Sequence, residues 1–200
     1  MNKLYFLLFA LFFFSSCGEE NDLLPIEAMI VTNLYAPETL NEGEPPSGDY
    51  VKFSFLEQKV VKGDDWDIAF RGTDIVVNGG YSANNDEPAR TGIGAAYIIF
   101  GNYGSIKNVD EGLFKEDSEN SRAIKNESES GWYTIESPGT LIVPVESKTL
   151  IFKTHNGKFA KMKIQSYYKD APDNPNPFID QASNYTFNYT YQPNKGIITF

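Results

Sequence analysis

Two residue types that carry catalytic or metal-binding chemistry occur only once each in this 200-residue chain, as His155 and Cys17. A catalytic triad, or any other site that needs an imidazole, would have to use His155. The chain contains no Gly-x-Ser-x-Gly elbow, no His-Glu-x-x-His pair and no phosphate-binding loop. These residue types therefore favour a binding module over an enzyme.

The acidic side chains leave one enzymatic hypothesis open. With 27 aspartates and glutamates, a pair of carboxylates suited to glycoside cleavage can always be drawn. Asp67 stands out because it lies in an apolar run, between Trp66 and Ile68. We expect its carboxylate either to face solvent or to accept hydrogen bonds from backbone N–H groups.

Cys17 ends an N-terminal segment that has the pattern of a bacterial lipoprotein signal. Lys3 supplies an early positive charge, residues 4–14 form an unbroken apolar run, and two serines precede the cysteine. This order is typical of a cleaved signal peptide, and the run is shorter than the roughly 20 residues that span a bilayer. We expect residues 1–16 to be removed, Cys17 to be acylated, and residues 17–28 to form a lipidated tether. An ordinary signal peptide with a chance cysteine is the alternative.

The net charge bears on the partners of the protein. The formal charge is −10, so the chain repels phosphate backbones and we predict no nucleic-acid partner. Anionic lipid headgroups would repel it as well. Membrane attachment is therefore expected to come from acyl chains on Cys17 rather than from a basic surface.

Residues 29–200 are predicted to form an all-β fold, a single mostly antiparallel β domain with at most one short helix, near 109–114. Aromatic residues make up 14% of the chain, and stretches rich in glycine, proline and asparagine separate short alternating runs. The clearest strand has four aromatic residues on one face. In another strand, Trp66, Ile68 and Phe70 are expected to share a buried face. The predicted strands cover residues 29–35, 50–55, 66–70, 74–78, 95–100, 132–135, 141–145, 148–154, 185–191 and 197–200.

Asn156 and Gly157 predict a hairpin. Asn-Gly between two strand-like runs favours a two-residue type I′ turn, because both turn positions then need positive φ. This turn would pair Ile151 with Met162. It would place Met162 toward the core and leave Lys161 solvated on the opposite face.

Several segments together resemble the HmuY family of haem-binding lipoproteins. They occur in the family order and span the chain from about Tyr50 to Phe200. The resemblance implies an all-β lipoprotein at the outer membrane that captures haem or porphyrin through two axial protein ligands and passes it to an outer-membrane haem receptor. The segments are Trp66-Asp67-Ile68-Ala69-Phe70-Arg71, Asn78-Gly79-Gly80, Arg90-Thr91-Gly92, residues 153–169 and residues 185–193.

The chain departs from the family at the ligands. One histidine cannot supply two imidazole ligands. Near Trp132, where the resemblance places one ligand, the chain offers only Tyr133, and haem iron accepts histidine, methionine or tyrosine. We therefore name His155, Met162 and Tyr133 as candidate haem ligands. The plain structural alternatives are a surface residue beside the turn for His155 and a core residue for Met162.

Two functions from different classes follow. The first is a surface-exposed lipoprotein that binds haem or porphyrin for iron acquisition, without catalysis. The second is a family member without haem binding, which acts as a structural or interaction protein at the cell surface. The two functions differ in whether the chain can supply axial protein ligands to haem iron.

Overall fold

The structure, a computed structural model, describes residues 23–137 and 139–200. Over these residues the chain forms eleven strands and two isolated 3₁₀ turns, so the all-β prediction is confirmed. The expected short helix is a 3₁₀ turn at Glu111–Leu113, with another at Tyr103–Ser105. The strands are β1 (Glu27–Tyr35), β2 (Val51–Ser54), β3 (Lys59–Val60), β4 (Ile68–Arg71), β5 (Asp74–Val77), β6 (Ala95–Phe100), β7 (Tyr133–Glu136), β8 (Leu141–Pro144), β9 (Lys148–Lys153), β10 (Phe159–Ser166) and β11 (Asn184–Gln192).

The strands pair antiparallel in three sheets. The largest has five strands in the order β1-β11-β10-β9-β6, the second has four in the order β3-β2-β4-β5, and β7 pairs with β8. β1 begins at Glu27, two residues before the predicted start of the domain. No helix among the described residues is long and apolar enough to cross a membrane.

Aromatic side chains fill the space between the two larger sheets. The alternation predicted along β11 is confirmed, since Tyr185, Phe187 and two further tyrosines on that face are all buried. From the second sheet, the Phe53 ring packs edge-on against Phe187 with centroids 5.6 Å apart, and Phe70 lies 4.7 Å from Tyr185. Offset and edge-on pairs of this kind add to the free energy gained by burial.

The prediction that Trp66 shares a buried face with Ile68 and Phe70 is wrong. Ile68 and Phe70 face the main core, whereas Trp66 packs in a smaller cluster with Ala69 and Val76 on the other face of the sheet. The reason is that β4 begins only at Ile68, so the period-2 alternation does not extend back to Trp66. The residue is nevertheless fully buried.

The predicted hairpin register is off by one residue. Lys161, not Met162, pairs with Ile151, and Met162 pairs with Leu150. Gly157 N–H donates to the Thr154 carbonyl, and Gly157 has φ +83° whereas Asn156 has negative φ. The loop therefore has three residues, 155–157, and its last residue is left-handed, which is the usual alternative to a type I′ turn.

Lys161 is also buried rather than solvated. Residues 102–109 fold over its strand, and Lys161 Nζ donates to the carbonyls of Tyr103 (3.3 Å) and Ile106 (2.6 Å). The predicted final strand, 197–200, does not form in the described structure. Its backbone instead bonds to the covering segment, for example Val109 N–H to the Ile198 carbonyl at 2.8 Å.

Candidate functional site

His155 lies in the loop between β9 and β10, where its backbone and side chain bond to the same partner. Its ring Nδ1 lies 2.7 Å from Asp67 Oδ1, and its backbone N–H donates to that oxygen at 3.1 Å. The side chain is only 17% exposed. His155 is therefore a partly buried residue within the three-residue loop, rather than an exposed residue beside a two-residue turn.

Asp67 is the buried partner that holds this loop. The residue is 2% exposed, and its second oxygen accepts the Phe55 N–H at 2.8 Å. The carboxylate thus joins the end of β2 to the β9–β10 loop, where its partner His155 is 88 residues away from it in the sequence. The expectation that Asp67 accepts hydrogen bonds from backbone N–H groups is confirmed.

A short segment packs behind the imidazole. Ile93 N–H donates to the His155 carbonyl at 2.9 Å, and a Cβ on Gly92 would lie 2.6 Å from the His155 Cβ. Asn78 fixes this segment, because its side-chain oxygen accepts the N–H groups of Thr91 (2.8 Å) and Gly92 (3.0 Å). The absence of a side chain at Gly92 is what lets His155 approach so closely.

The electrostatics of His155 follow from its neighbours. The hydrogen bond to Asp67 raises the pKa of the imidazole, and this effect outweighs burial, which lowers it. The negative charges of Asp67 and Asp65 act in the same direction, whereas Lys158 opposes them. The other ring nitrogen, Nε2, is 3.9 Å from Asp65 Oδ1, beyond hydrogen-bond reach, and the Asp65 side chain is 96% exposed.

The other two candidate ligands lie in different surroundings. Met162 is fully buried in the main core, opposite Leu150 and Tyr189 in the strand pairs. Tyr133 is 5% exposed, and its hydroxyl donates to Asn126 Oδ1 at 3.1 Å. Tyr133 and Met162 both belong to the main core cluster, whereas His155 lies in the β9–β10 loop. Cys17 lies outside the described residues.

A polar cleft opens beside the partner of Tyr133. It has a volume of about 430 Å³, and Asn126 lines it together with two cationic side chains, Arg122 and Lys125. Among the described residues, no group of three or more histidine, cysteine, aspartate or glutamate side chains is arranged to hold a metal ion.

A buried set of charges beside the site was not predicted from the sequence. The ionic cluster consists of Asp74, Glu87, Arg90, Asp117 and Arg122. Glu87 and Arg90 lie in the stretch between β5 and β6, and although Arg90 belongs to a segment that resembles the family, its pairing with Glu87 was not predicted. The signal that was available is the pair itself, an acid and a base three residues apart in a stretch otherwise rich in glycine and asparagine.

One known protein family matches this chain. The family model described as HmuY protein matches residues 47–189, well over half of the chain. The chain belongs to the HmuY family. No curated protein matches the chain in sequence.

Three solved structures are similar to this HmuY family member. The apo HmuY analogue of Tannerella forsythia is 15% identical, and the match covers 87% of this chain and 100% of that one at a TM-score of 0.50. A candidate HmuY-like haem-binding protein of Bacteroides vulgatus is 13% identical, with 84% and 93% covered and a TM-score of 0.47. A candidate lipoprotein of Bacteroides fragilis is 14% identical, with 84% and 92% covered and a TM-score of 0.47. At such identities the likeness shows the fold alone.

Proposed function

We propose that this HmuY family member binds haem or a related porphyrin without catalysis, in iron acquisition at the cell surface. The observation that carries the proposal is the imidazole of His155, which is held at Nδ1 by Asp67 while Nε2 makes no hydrogen bond to a described residue. Family membership, from residues 47–189, supports the ligand class.

His155 has the chemistry of an axial haem ligand. Neutral imidazole binds iron through one ring nitrogen, and in metal sites the other nitrogen is usually held by a carboxylate or a carbonyl. Haem would supply the iron and four of its ligands, which suits a chain whose described residues offer no three-residue metal cluster. In this proposal His155 binds the haem iron. Asp67 and the segment that contains Gly92 hold His155 in position.

Tyr133 and Met162 rank below His155 as ligands. To reach the neighbouring cleft, the Tyr133 hydroxyl must leave Asn126, a local change. Met162 is completely enclosed between β9 and β11, so its sulfur could bind haem only if the core opened. We therefore propose His155 first, Tyr133 second and Met162 last.

The place of action is part of the same proposal. The pattern that ends at Cys17 supports a lipid anchor in the outer membrane, with the β domain exposed at the cell surface. An outer-membrane haem receptor would then take the haem from this protein. Residues 23–26 are the described part of the tether that precedes β1.

A haemin titration of residues 18–200, followed by absorbance in the Soret region, tests this function. We expect a saturable Soret shift at micromolar haemin. Protoporphyrin IX, which lacks iron, is the matched control, and it should bind more weakly if His155 ligates the metal. A wild-type protein with no saturable shift would contradict the haem function.

A specific surface feature favours the second candidate, an interaction protein without haem. Phe178 and Ile179 are 76% and 80% exposed, at the tip of the segment between β10 and β11. The turn that presents them is ordered, because Asn176 accepts the N–H groups of Phe178 and Ile179 and donates its own N–H to Asp180 at 2.7 Å. Ordered, exposed apolar side chains are typical of contact surfaces.

Photo-crosslinking in intact cells tests this alternative. A crosslinking residue at position 178 should join one protein partner, whereas the same residue at position 81, where Tyr81 is also exposed, should not. If position 178 gives no crosslink and haemin binding is saturable, the interaction function is contradicted and the haem function stands.

A further inference from the structure

The only imidazole of the chain is held at two atoms by one buried carboxylate. Asp67 Oδ1 bonds to both the backbone N–H and the ring Nδ1 of His155. A surface histidine beside a turn needs no such partner, and burying a carboxylate is unfavourable unless its oxygens find donors. This arrangement fixes the ring as well as the loop.

The chemistry of the pair determines which ring nitrogen carries the proton. A carboxylate only accepts hydrogen bonds, so the nitrogen facing Asp67 must be a donor, and the neutral ring must have its proton on Nδ1. Nε2 then keeps a free lone pair. Neutral histidine bound in this way is a ligand for a metal centre through Nε2.

The surroundings also fix the backbone from which the ring projects. Gly92 lies against the His155 Cβ, and Ile93 N–H bonds to the His155 carbonyl. Asp67 is itself held in place, since Phe55 N–H bonds to its other oxygen. The Asp65 carboxylate, 3.9 Å from Nε2, lies on an almost fully exposed side chain that can move away without cost to the core.

We infer that Asp67 is a positioning residue, which holds His155 in the Nδ1–H tautomer with Nε2 turned outward as the acceptor for haem iron. The identity of the iron group rests on the proposed function, whereas the tautomer and the role of Asp67 do not. Asp67 touches neither iron nor porphyrin. It acts only through His155.

Nitrogen NMR of the metal-free protein tests the tautomer directly. The chain has one histidine, so a ¹⁵N-labelled sample gives one pair of imidazole nitrogens without assignment by mutation. At alkaline pH, where the ring is neutral, we expect the Nδ1–H form in the wild-type protein. A ring protonated at Nε2 would overturn the inference, whether or not haemin binds.

Two aspartate variants test whether Asp67 specifically positions the His155 ring or whether the loss of any nearby acid has the same effect. Asp67→Asn replaces an obligatory acceptor with an amide that can also donate to Nδ1, so the Nε2–H form should gain population. Asp65→Asn is the matched control, because it removes the exposed acid beside Nε2 and should leave the tautomer unchanged. An Asp67→Asn protein that folds and keeps the wild-type tautomer would contradict the role of Asp67. If that variant does not fold, the wild-type and Asp65→Asn spectra still decide the tautomer.

Haemin affinity gives the second readout. Loss of a residue that orients a metal-binding histidine typically costs about 10–100-fold in affinity, and we expect that loss in Asp67→Asn but not in Asp65→Asn. Equal affinity in wild type and Asp67→Asn would overturn the positioning role toward haem. If the wild-type protein binds no haemin at all, the proposed function fails, and the NMR result alone decides what Asp67 does to His155.

Discussion

The guanidinium of Arg90 lies 3.2 Å from the carboxylate of Asp117, and both side chains are almost completely buried. Glu87 bonds to the same guanidinium at 2.8 Å and also to Arg122. These contacts hold the long segment between β5 and β6 against the second sheet and behind the His155 site. The charges stabilise one another only as a set, because each would be unfavourable if buried alone.

Removal of Arg90 should therefore destabilise the whole domain. Arg90→Ala leaves Glu87 and Asp117 buried with less positive charge, and we expect a loss of about 3–5 kcal/mol in the free energy of unfolding. Denaturant unfolding measures this. Lys59→Ala is the control, since the Lys59–Glu57 pair is exposed and should contribute at most about 1 kcal/mol. Equal effects of the two substitutions would mean that the Arg90 cluster is solvated.

The same cluster predicts a pH dependence. Burial by itself raises the pKa of Glu87, but the hydrogen bond and charge of Arg122 and the charge of Arg90 outweigh it, so the pKa is lowered. A carboxyl with a lower pKa in the folded than in the unfolded state contributes stability above the unfolded pKa. It loses that contribution as the pH falls through the folded pKa.

Glu87→Gln should accordingly be less stable than the wild type at neutral pH, and the difference should shrink as the pH falls below 4.5, the ordinary pKa of this group. Unfolding measured at a series of pH values gives this difference. A difference that stays constant under acidic conditions would show that Glu87 acts through packing rather than charge.

The three-residue hairpin loop gives a prediction that distinguishes two of its residues. Gly157→Val should cost about 1–3 kcal/mol, because Gly157 has φ +83° and a β-branched residue is strained there. Asn156→Ala should cost less, since Asn156 has negative φ and its side chain bonds only to the Thr154 hydroxyl in the described structure. Comparable costs at both positions would favour the two-residue turn instead. Thermal or denaturant unfolding of both variants decides between them.

Attachment to the membrane depends on Cys17 in the proposed function. Cys17→Ser should abolish partitioning into the detergent phase while leaving the β domain folded, because the described core contains no residue before Leu34. Circular dichroism of the variant provides the folding control. Unchanged detergent partitioning would contradict the lipid anchor.

Local patterns were enough to predict much of the fold. The alternation along β11 places its aromatic face in the core, and β6 was predicted with its observed bounds. The β11 prediction succeeded because side chains along a strand alternate between its two faces regardless of its partners, and the β6 prediction because a short continuous apolar run is typical of a buried strand. The all-β class followed from the same repeats.

Contacts between distant residues account for what the sequence did not predict. Asn-Gly is compatible with two loop geometries, and the bond from Asp67 to the backbone of His155 favours the longer one. Lys161 follows the alternation of its strand, but the segment at 102–109 covers its face and supplies two carbonyl acceptors. His155 and Asp67 are 88 residues apart in the sequence, so no local pattern contains their pairing.

The central claim is that His155 binds haem iron, and parallel haemin titrations of wild type, His155→Ala and Tyr133→Phe test it most directly. The Soret region reports both binding and ligation. If His155 binds the iron, we expect saturable haemin binding by the wild type without a bis-histidyl spectrum. His155→Ala should lose affinity sharply, and Tyr133→Phe should keep an affinity close to that of the wild type. Saturable binding that is unchanged in His155→Ala would contradict this claim.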